Sequence, residues 1–254
     1  MRCSRRLCSC ERSWERSCER SCERESPRDK PVASIMIIAI DGPSGSGKST
    51  LGRMLARALG LLYIDTGSMY RAVALAVIDA QIDPNNREAV TELANTSEID
   101  LQGNPDSLCV LLNGRDITEQ IRTERVTEMS SIVSTIPGVR RAMVERQRTI
   151  GKRGAVLNGR DIGTVVFPDA DIKFFLDAAP EERAERRYKE DQLTAASTAT
   201  YEETLADMIE RDRRDSTRAD SPLKIADDAI VINSTGKSID EVLAEMMTYV
   251  HRDH

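Results

Sequence analysis

The segment Gly42-Pro43-Ser44-Gly45-Ser46-Gly47-Lys48-Ser49 constrains this chain's architecture more than any other stretch of it. It matches G-x-x-x-x-G-K-[ST] and follows the apolar run Ile35 to Ile40. After it, Leu51, Met54, Leu55, Ala58 and Leu59 recur at helical spacing as far as Gly60. Strand, glycine-rich turn and helix in that order make a phosphate loop. The glycines let successive N–H groups converge on phosphate oxygens, and the helix N-terminus adds partial positive charge. Lys48 is expected to reach the outer phosphates of a nucleotide, Ser49 to place its hydroxyl on Mg²⁺, and Thr50 to cap the helix. The candidate nucleotide site is thus Gly42, Pro43, Ser44, Gly45, Ser46, Gly47, Lys48, Ser49 and Thr50.

The apolar runs place this loop in an α/β fold. Besides Ile35 to Ile40, the segments Leu61 to Ile64, Ala155 to Leu157, Ile172 to Leu176 and Ala229 to Ile232 are near-continuously hydrophobic. Strands covered on both faces read this way, and their alternation with helical patterns predicts a parallel sheet. From Ile99 to Asn113 the rhythm changes. Glu98 to Gln102 alternates polar and apolar, Gly103 to Asp106 is a turn cluster, and Leu108 to Leu112 is apolar again, which predicts a small antiparallel insertion at the edge of the core.

Composition sets limits on function. The chain has 254 residues and a formal charge of −6, which argues against affinity from blanketing a nucleic-acid backbone with cations, and its 4% aromatic content is too low for base-stacking platforms. His251 and His254, the two histidines, are terminal, so Ser/His or Cys/His pairs and His-ligated metal sites are not expected. Five of six cysteines and the one tryptophan, Trp14, fall between Cys3 and Cys22, where Glu-Arg-Ser-Trp, Glu-Arg-Ser-Cys and Glu-Arg-Ser-Cys follow one another from Glu11. That composition predicts a disordered low-complexity leader, not a zinc site or a signal peptide, and Met36 is a candidate for the true start. No apolar run reaches the roughly 18 residues of a membrane span, so a cytoplasmic protein is expected, without membrane or nucleic-acid partners.

A second set of cations stands at the other strand ends. Arg71 follows Asp65-Thr66-Gly67-Ser68-Met69-Tyr70, and Arg160-Asp161 follows the run from Ala155. Ligands of open α/β sheets bind at the carboxyl ends of strands, so these arginines are expected on the rim that holds the phosphate loop. One phosphate loop and separate strand-end arginines imply two phosphate groups. Arg211, Asp215 and Arg218 share a helical face, and Arg183, Arg186 and Arg187 crowd the helix after Pro180; a solvated face paired with Glu181, Glu182, Glu185 and Asp212 is the competing reading.

Four segments are similar to the bacterial-type cytidylate kinase (CMP kinase) family: Ile40 to Lys48, Asp65 to Arg71, Gly159-Arg160-Asp161-Ile162-Gly163-Thr164-Val165-Val166-Phe167-Pro168-Asp169, and Arg211 to Arg218. The resemblance runs from about Met36 to Arg252. It implies ATP-dependent phosphorylation of CMP and dCMP, a five-stranded parallel core, a small β insertion in the CMP-binding region and a short lid. On that basis the chain divides into a leader (1–34), P-loop core (35–94), CMP-binding region (95–150), core (151–179), lid region (180–200, flexible from Ala195 to Thr200) and C-terminal core (201–254). Carried over by resemblance, Thr66, Arg71 and Arg160 hold the CMP phosphate, Ser131, Arg140 and Asp161 read the cytosine, and Arg211 and Asp215 hold the ribose. Lys48, Arg186, Arg187 and Arg218, with Arg160, neutralise the phosphates during transfer, with Mg²⁺ accompanying ATP. Asn158 stands where the family commonly has an acidic residue, so no carboxylate is expected there to reach Mg²⁺ indirectly. A monomer is expected. A kinase for UMP or AMP is the nearest alternative; a P-loop ATPase or GTPase switch is the other, although the chain lacks N-K-x-D and offers only Asp177 as a Walker-B carboxylate.

Overall fold

The computed structural model describes residues 36–194 and 198–251. The expected leader lies outside them, as do residues 195–197 of the expected flexible lid segment and residues 252–254. The order is β1 (Ile37–Asp41), α1 (Lys48–Leu59), β2 (Leu62–Asp65), α2 (Thr66–Asp79), α3 (Arg87–Thr96), β3 (Ile99–Gln102), β4 (Cys109–Leu112) and β5 (Arg115–Asp116). It continues with a 3-10 turn (Gln120–Arg122), α4 (Glu124–Val133), α5 (Pro137–Gly151), β6 (Ala155–Asn158), a π-helical turn (Ile162–Val166), β7 (Ile172–Asp177), α6 (Pro180–Thr194), α7 (Tyr201–Thr217), β8 (Ile230–Asn233) and α8 (Ile239–Val250).

Five strands form one parallel sheet in the order β2-β6-β1-β7-β8. The apolar runs find all five, but the first begins at Ile37 and each ends one residue later than its last hydrophobic side chain. The final residues are Asp41, Asp65, Asn158, Asp177 and Asn233. Ladder bonds are made by the backbone, so a polar side chain does not end a strand. These five residues line the carboxyl edge, where ligands of such sheets bind.

Alternation along β1 serves two layers. Ile38 and Ile40 join a core with Leu51 and Leu55 of α1, Phe174 and Leu176 of β7 and Val242 and Met246 of α8. Ala39 faces the other way, into a core with Ile64, Leu157 and Ile162. Burying side chains of this size contributes roughly 1.5–3 kcal/mol each, which holds the central strand and hence the loop after it. A third core ties α2, α4 and α5 to the insertion, with Met69, Val73, Val110, Leu112, Val133 and Met143 fully or nearly fully buried.

The insertion is antiparallel, with Ile99 opposite Leu112 and Gln102 opposite Cys109. Its turn needs Gly103, which has φ 104°; a Cβ there would lie 2.1 Å from the Ser107 carbonyl oxygen. The third strand, β5, is two exposed residues long and has no apolar pattern to betray it. Among the described residues no helix is long and apolar enough to cross a membrane.

Candidate active site

The phosphate loop leaves β1 through Gly42, where φ is 145° and a Cβ would meet the Leu176 carbonyl oxygen at 2.0 Å. No other residue fits. The loop then folds on itself: Ser46 Oγ donates to the Pro43 carbonyl at 3.1 Å, and the Lys48 ammonium donates to the same carbonyl and to Ser46 Oγ at 3.2 Å. Gly47, with φ 91°, stands immediately before helix α1, and no side chain caps the helix. This corrects the expectation for Thr50, which is exposed and caps nothing. A side-chain cap would occupy the N–H groups that a phosphate loop keeps for its ligand.

Two helices brace the loop from outside. Asp212 of α7 accepts the Ser44 N–H at 3.1 Å, and its other oxygen takes Arg183 Nη1 at 2.5 Å. Arg183 also donates to the Ser44 carbonyl at 2.8 Å and the Ala178 carbonyl at 2.9 Å. In the sequence Asp212 and Arg183 pass for a surface pair. Only their packing against a loop 139 residues away from Arg183 in the chain shows otherwise.

A cleft of about 1490 Å³ opens from this loop along the carboxyl edge of the sheet. Lys48, Ser49 and Thr50 line it on one side; Thr66, Arg71, Ser131, Arg140, Asn158, Arg160, Asp161, Arg211, Asp215 and Arg218 line the rest. The register explains the convergence: Asn158 lies opposite Asp65 of β2 and Ile40 of β1, so the residues after all three strands meet at one level. Thr66 Oγ1 donates to the Asn158 carbonyl at 2.7 Å, and Arg71 pairs with Asp65 at 2.9 Å. Asn158 Nδ2 donates to Ser49 Oγ at 2.9 Å, while its Oδ1 is buried without a partner among the described residues.

Farther from the phosphate loop, charges alternate. Arg160 Nε donates to Asp215 Oδ2 at 2.9 Å; Arg218 lies 3.4 Å from Asp215 Oδ1 and 3.7 Å from Asp161 Oδ1; Arg140 pairs with Asp161 Oδ2. Arg140 also donates to the Ser134 carbonyl and lies over the Tyr70 ring, 5.6 Å from its centroid. Its side chain is 2% exposed, and isolated charges at such depth are prohibitive, so the pairing with Asp161 is what permits it. Ser131 Oγ accepts from Arg214 at 3.2 Å.

This arrangement moves Arg218 away from its expected company. The resemblance groups it with Lys48, Arg186 and Arg187, but it sits between Asp161 and Asp215 beside Arg140. Helix α7 ends at Thr217, and Arg218, the first residue past it with ψ 142°, turns inward and donates to the Ser221 carbonyl. Arg186 and Arg187 remain on α6 at the cleft wall, Arg186 on the Ser234 carbonyl at 2.8 Å and Arg187 on Asp191 at 2.9 Å.

Electrostatics follow from crowding cations. Burial, with Arg160 next, pushes the Lys48 ammonium well below the ordinary lysine range. Arg211 makes no hydrogen bond or ion pair among the described residues, and burial and then Arg160 lower it to about 10. Asp215 is held below the ordinary carboxylate value: burial opposes this, but Arg160, Arg211 and Arg218 outweigh it. Asp41, at the end of β1, is raised to about 6 by burial even though it accepts the Ile162 and Gly163 N–H groups. The cleft therefore carries surplus positive charge suited to polyanions, and it presents that charge in two places.

A phosphate loop at the end of the central strand and a separate arginine pocket across the same cleft define a P-loop phosphotransferase with a phosphorylated acceptor. The family model described as Cytidylate kinase matches residues 38–252. Curated relatives agree. A cytidylate kinase of Solibacter usitatus is 50% identical over 209 residues, 82% of this chain and 88% of its own. That of Geobacter sp. (strain M21) is 48% identical, covering 83% of this chain and 91% of its own. That of Clostridioides difficile is 46% identical, covering 85% of this chain and 98% of its own. The chain belongs to the cytidylate kinase family.

Proposed function

We propose that this chain transfers the terminal phosphoryl group of ATP to the phosphate of CMP, and of dCMP, releasing ADP and CDP or dCDP. The observation that carries this reading is the two-part cationic cleft: Lys48 on the phosphate loop, and Arg160, Arg71 and Arg211 across from it, with the Arg140–Asp161–Arg218 cluster beyond.

The ATP phosphates lie on the loop N–H groups and the Lys48 ammonium, which leaves the Pro43 carbonyl for them. Their charge restores the ammonium that burial disfavours. Arg71 and Arg160 hold the acceptor phosphate, with Thr66, whose hydroxyl leaves the Asn158 carbonyl to donate to it. The nucleophile is an oxygen of that phosphate, already anionic at neutral pH. No general base is needed, which accords with a cleft that has no histidine among the described residues lining it.

The barrier lies in bringing two polyanions together. Two unit negative charges about 4 Å apart repel by about 4 kcal/mol at an effective dielectric of about 20. Lys48, Arg160, Arg186 and Arg187, fixed before substrate arrives, offset that repulsion without reorganising. Positioning supplies most of the remainder.

Specificity comes from the far end. Asp161 accepts from an exocyclic amine while Arg140 donates to the neighbouring ring acceptor, the order in which cytosine offers them; uracil presents an oxygen to Asp161 instead. Arg218, placed beside both, belongs to this base end, and Ser131 completes it. Asp215 and Arg211 stand between the base and phosphate ends, where the sugar lies.

The residues present fit Mg²⁺ carried in with ATP. The Ser49 hydroxyl stands in the first turn of α1 and accepts from Asn158 Nδ2, while Oδ1 of the same amide is buried without a partner among the described residues. Ser49 would hold the ion directly and Asn158 through water. The ion supplies charge stabilisation on the phosphates. Phosphorus NMR of the products from ATP and CMP tests the reading: the paired resonances of CDP are expected with those of ADP, and inorganic phosphate with unchanged CMP would refute it.

A further inference from the structure

Asp161 occupies the position before the π-helical turn Ile162–Val166 from which an aspartate normally turns back to accept the N–H groups of the first turn. It does not do so. Its carboxylate faces the cleft instead, between Arg140 and Arg218. The N–H groups it would have taken are occupied from another strand. Asp41 Oδ1 accepts the Ile162 N–H at 2.9 Å, and Asp41 Oδ2 accepts the Gly163 N–H at 2.8 Å. Asp41 is 5% exposed and points to this turn because β1 alternates, with Ile38 and Ile40 buried on the opposite face. A Cβ on Gly163 would lie 3.1 Å from the Lys173 side chain and 3.5 Å from Asp41 Oδ2, so the turn is packed against both. The segment leading into the turn is also tied to β1 through the Gly159 N–H, which donates to the Ile40 carbonyl at 3.0 Å.

We infer that Asp41 is a positioning residue for acceptor-base selection: by taking the Ile162 and Gly163 N–H groups, it keeps the Asp161 carboxylate turned to Arg140 and Arg218. This rests on the proposed reading of Asp161 as the group that meets the cytosine amine. Asp41 touches no substrate. It joins the strand that leads into the phosphate loop to the segment carrying both Arg160 and Asp161, so one buried carboxylate sets the geometry of the acceptor end. Without it, the Ile162 and Gly163 N–H groups lose their acceptor, and the Asp161 carboxylate, at the cap position of the same turn, is free to turn back onto them. A carboxylate kept in this place despite burial that raises it to about 6 has a role that an apolar residue could not fill.

The test is the ratio of kcat/KM for CMP to that for UMP, because a ratio does not depend on how much of a preparation is folded. Asp41→Asn keeps the shape but turns an amide group toward one of the two N–H donors. It is expected to lower the CMP preference about tenfold, the effect of losing one hydrogen bond to a charged group, while KM for ATP changes less than about twofold. Asp41→Ser, small and able to accept one N–H, is made alongside and is expected to lie between. In an Asp161→Asn background, Asp41→Asn should leave the ratio unchanged, since the residue through which Asp41 acts is already neutral. Loss of kcat with an unaltered CMP-to-UMP ratio, or an undiminished effect of Asp41→Asn in the Asp161→Asn background, would overturn the inference. A wild-type protein with no preference for CMP would instead refute the reading on which it rests.

Discussion

The Arg160 guanidinium meets the Asp215 carboxylate with Nε and Oδ2 2.9 Å apart, joining the segment after β6 to the last turn of α7 across 55 residues. Because Arg160 binds Asp215 through Nε and the Gly159 carbonyl through Nη1 at 3.2 Å, Nη2 remains available to an acceptor phosphate. Arg160→Ala should therefore raise KM for CMP by about 100-fold, the scale of a lost charge-assisted pair, with KM for ATP changed less than about threefold. Arg160→Lys should recover little, since an ammonium cannot hold Asp215 and a phosphate in a fixed fork. Steady-state kinetics with each substrate varied in turn decides this, and equal losses for both nucleotides would contradict two separate anion sites.

Lys48 is buried, and among the described residues its ammonium is bound by the Pro43 carbonyl and Ser46 Oγ alone. Lys48→Met removes the cation that reaches the transferred phosphoryl group from the loop side. The expected loss in kcat is about 10³-fold, at the upper end for one preorganised donor. Circular dichroism and melting should show a folded protein, because a buried charge has been replaced by an apolar chain of similar length.

Asp212 should affect one substrate only. Asp212→Ala releases both the Ser44 N–H and Arg183, loosening the outer wall of the phosphate loop. KM for ATP is expected to rise about tenfold, and KM for CMP to stay within about twofold. A rise in KM for CMP would show that the brace acts on the whole cleft.

Asp41 gives a pH signature in stability. Its folded value of about 6 lies above the ordinary 3.8, because burial and the Asp161 charge outweigh the Ile162 and Gly163 N–H groups and the Lys48 ammonium. The folded protein thus holds the proton more tightly than the unfolded chain. The stabilisation this gives is complete below about pH 4 and is lost as pH rises through 6. Relative to Asp41→Asn, the wild type should therefore lose up to about 3 kcal/mol between pH 4 and pH 7. Urea unfolding at each pH, compared pairwise, measures it; parallel curves for the two proteins would contradict the raised value.

Much of this is legible in the sequence, and the parts that are not share a cause. Apolar runs locate all five parallel strands, because burial on both faces leaves continuous hydrophobic segments, yet each run stops one residue short of Asp41, Asp65, Asn158, Asp177 or Asn233. Those polar ends include Asp41 and Asn158, whose partners lie 121 and 109 residues away. Helical spacing puts Arg211, Asp215 and Arg218 on one face but cannot show that the helix ends before Arg218. The phosphate-loop motif reads in full, together with a cap at Thr50 that the loop dispenses with. Asp212 and Arg183 look like any surface pair until the loop they hold is seen.

Phosphate transfer to a cytosine nucleotide is measured most directly by coupled ADP release with ATP and Mg²⁺, offering CMP, dCMP, UMP, AMP, GMP and no acceptor in parallel. ADP is predicted chiefly with CMP and dCMP, and almost none without acceptor. Acceptor-independent ADP, or equal rates with every monophosphate, would contradict a cleft built to pass phosphate to cytosine nucleotides.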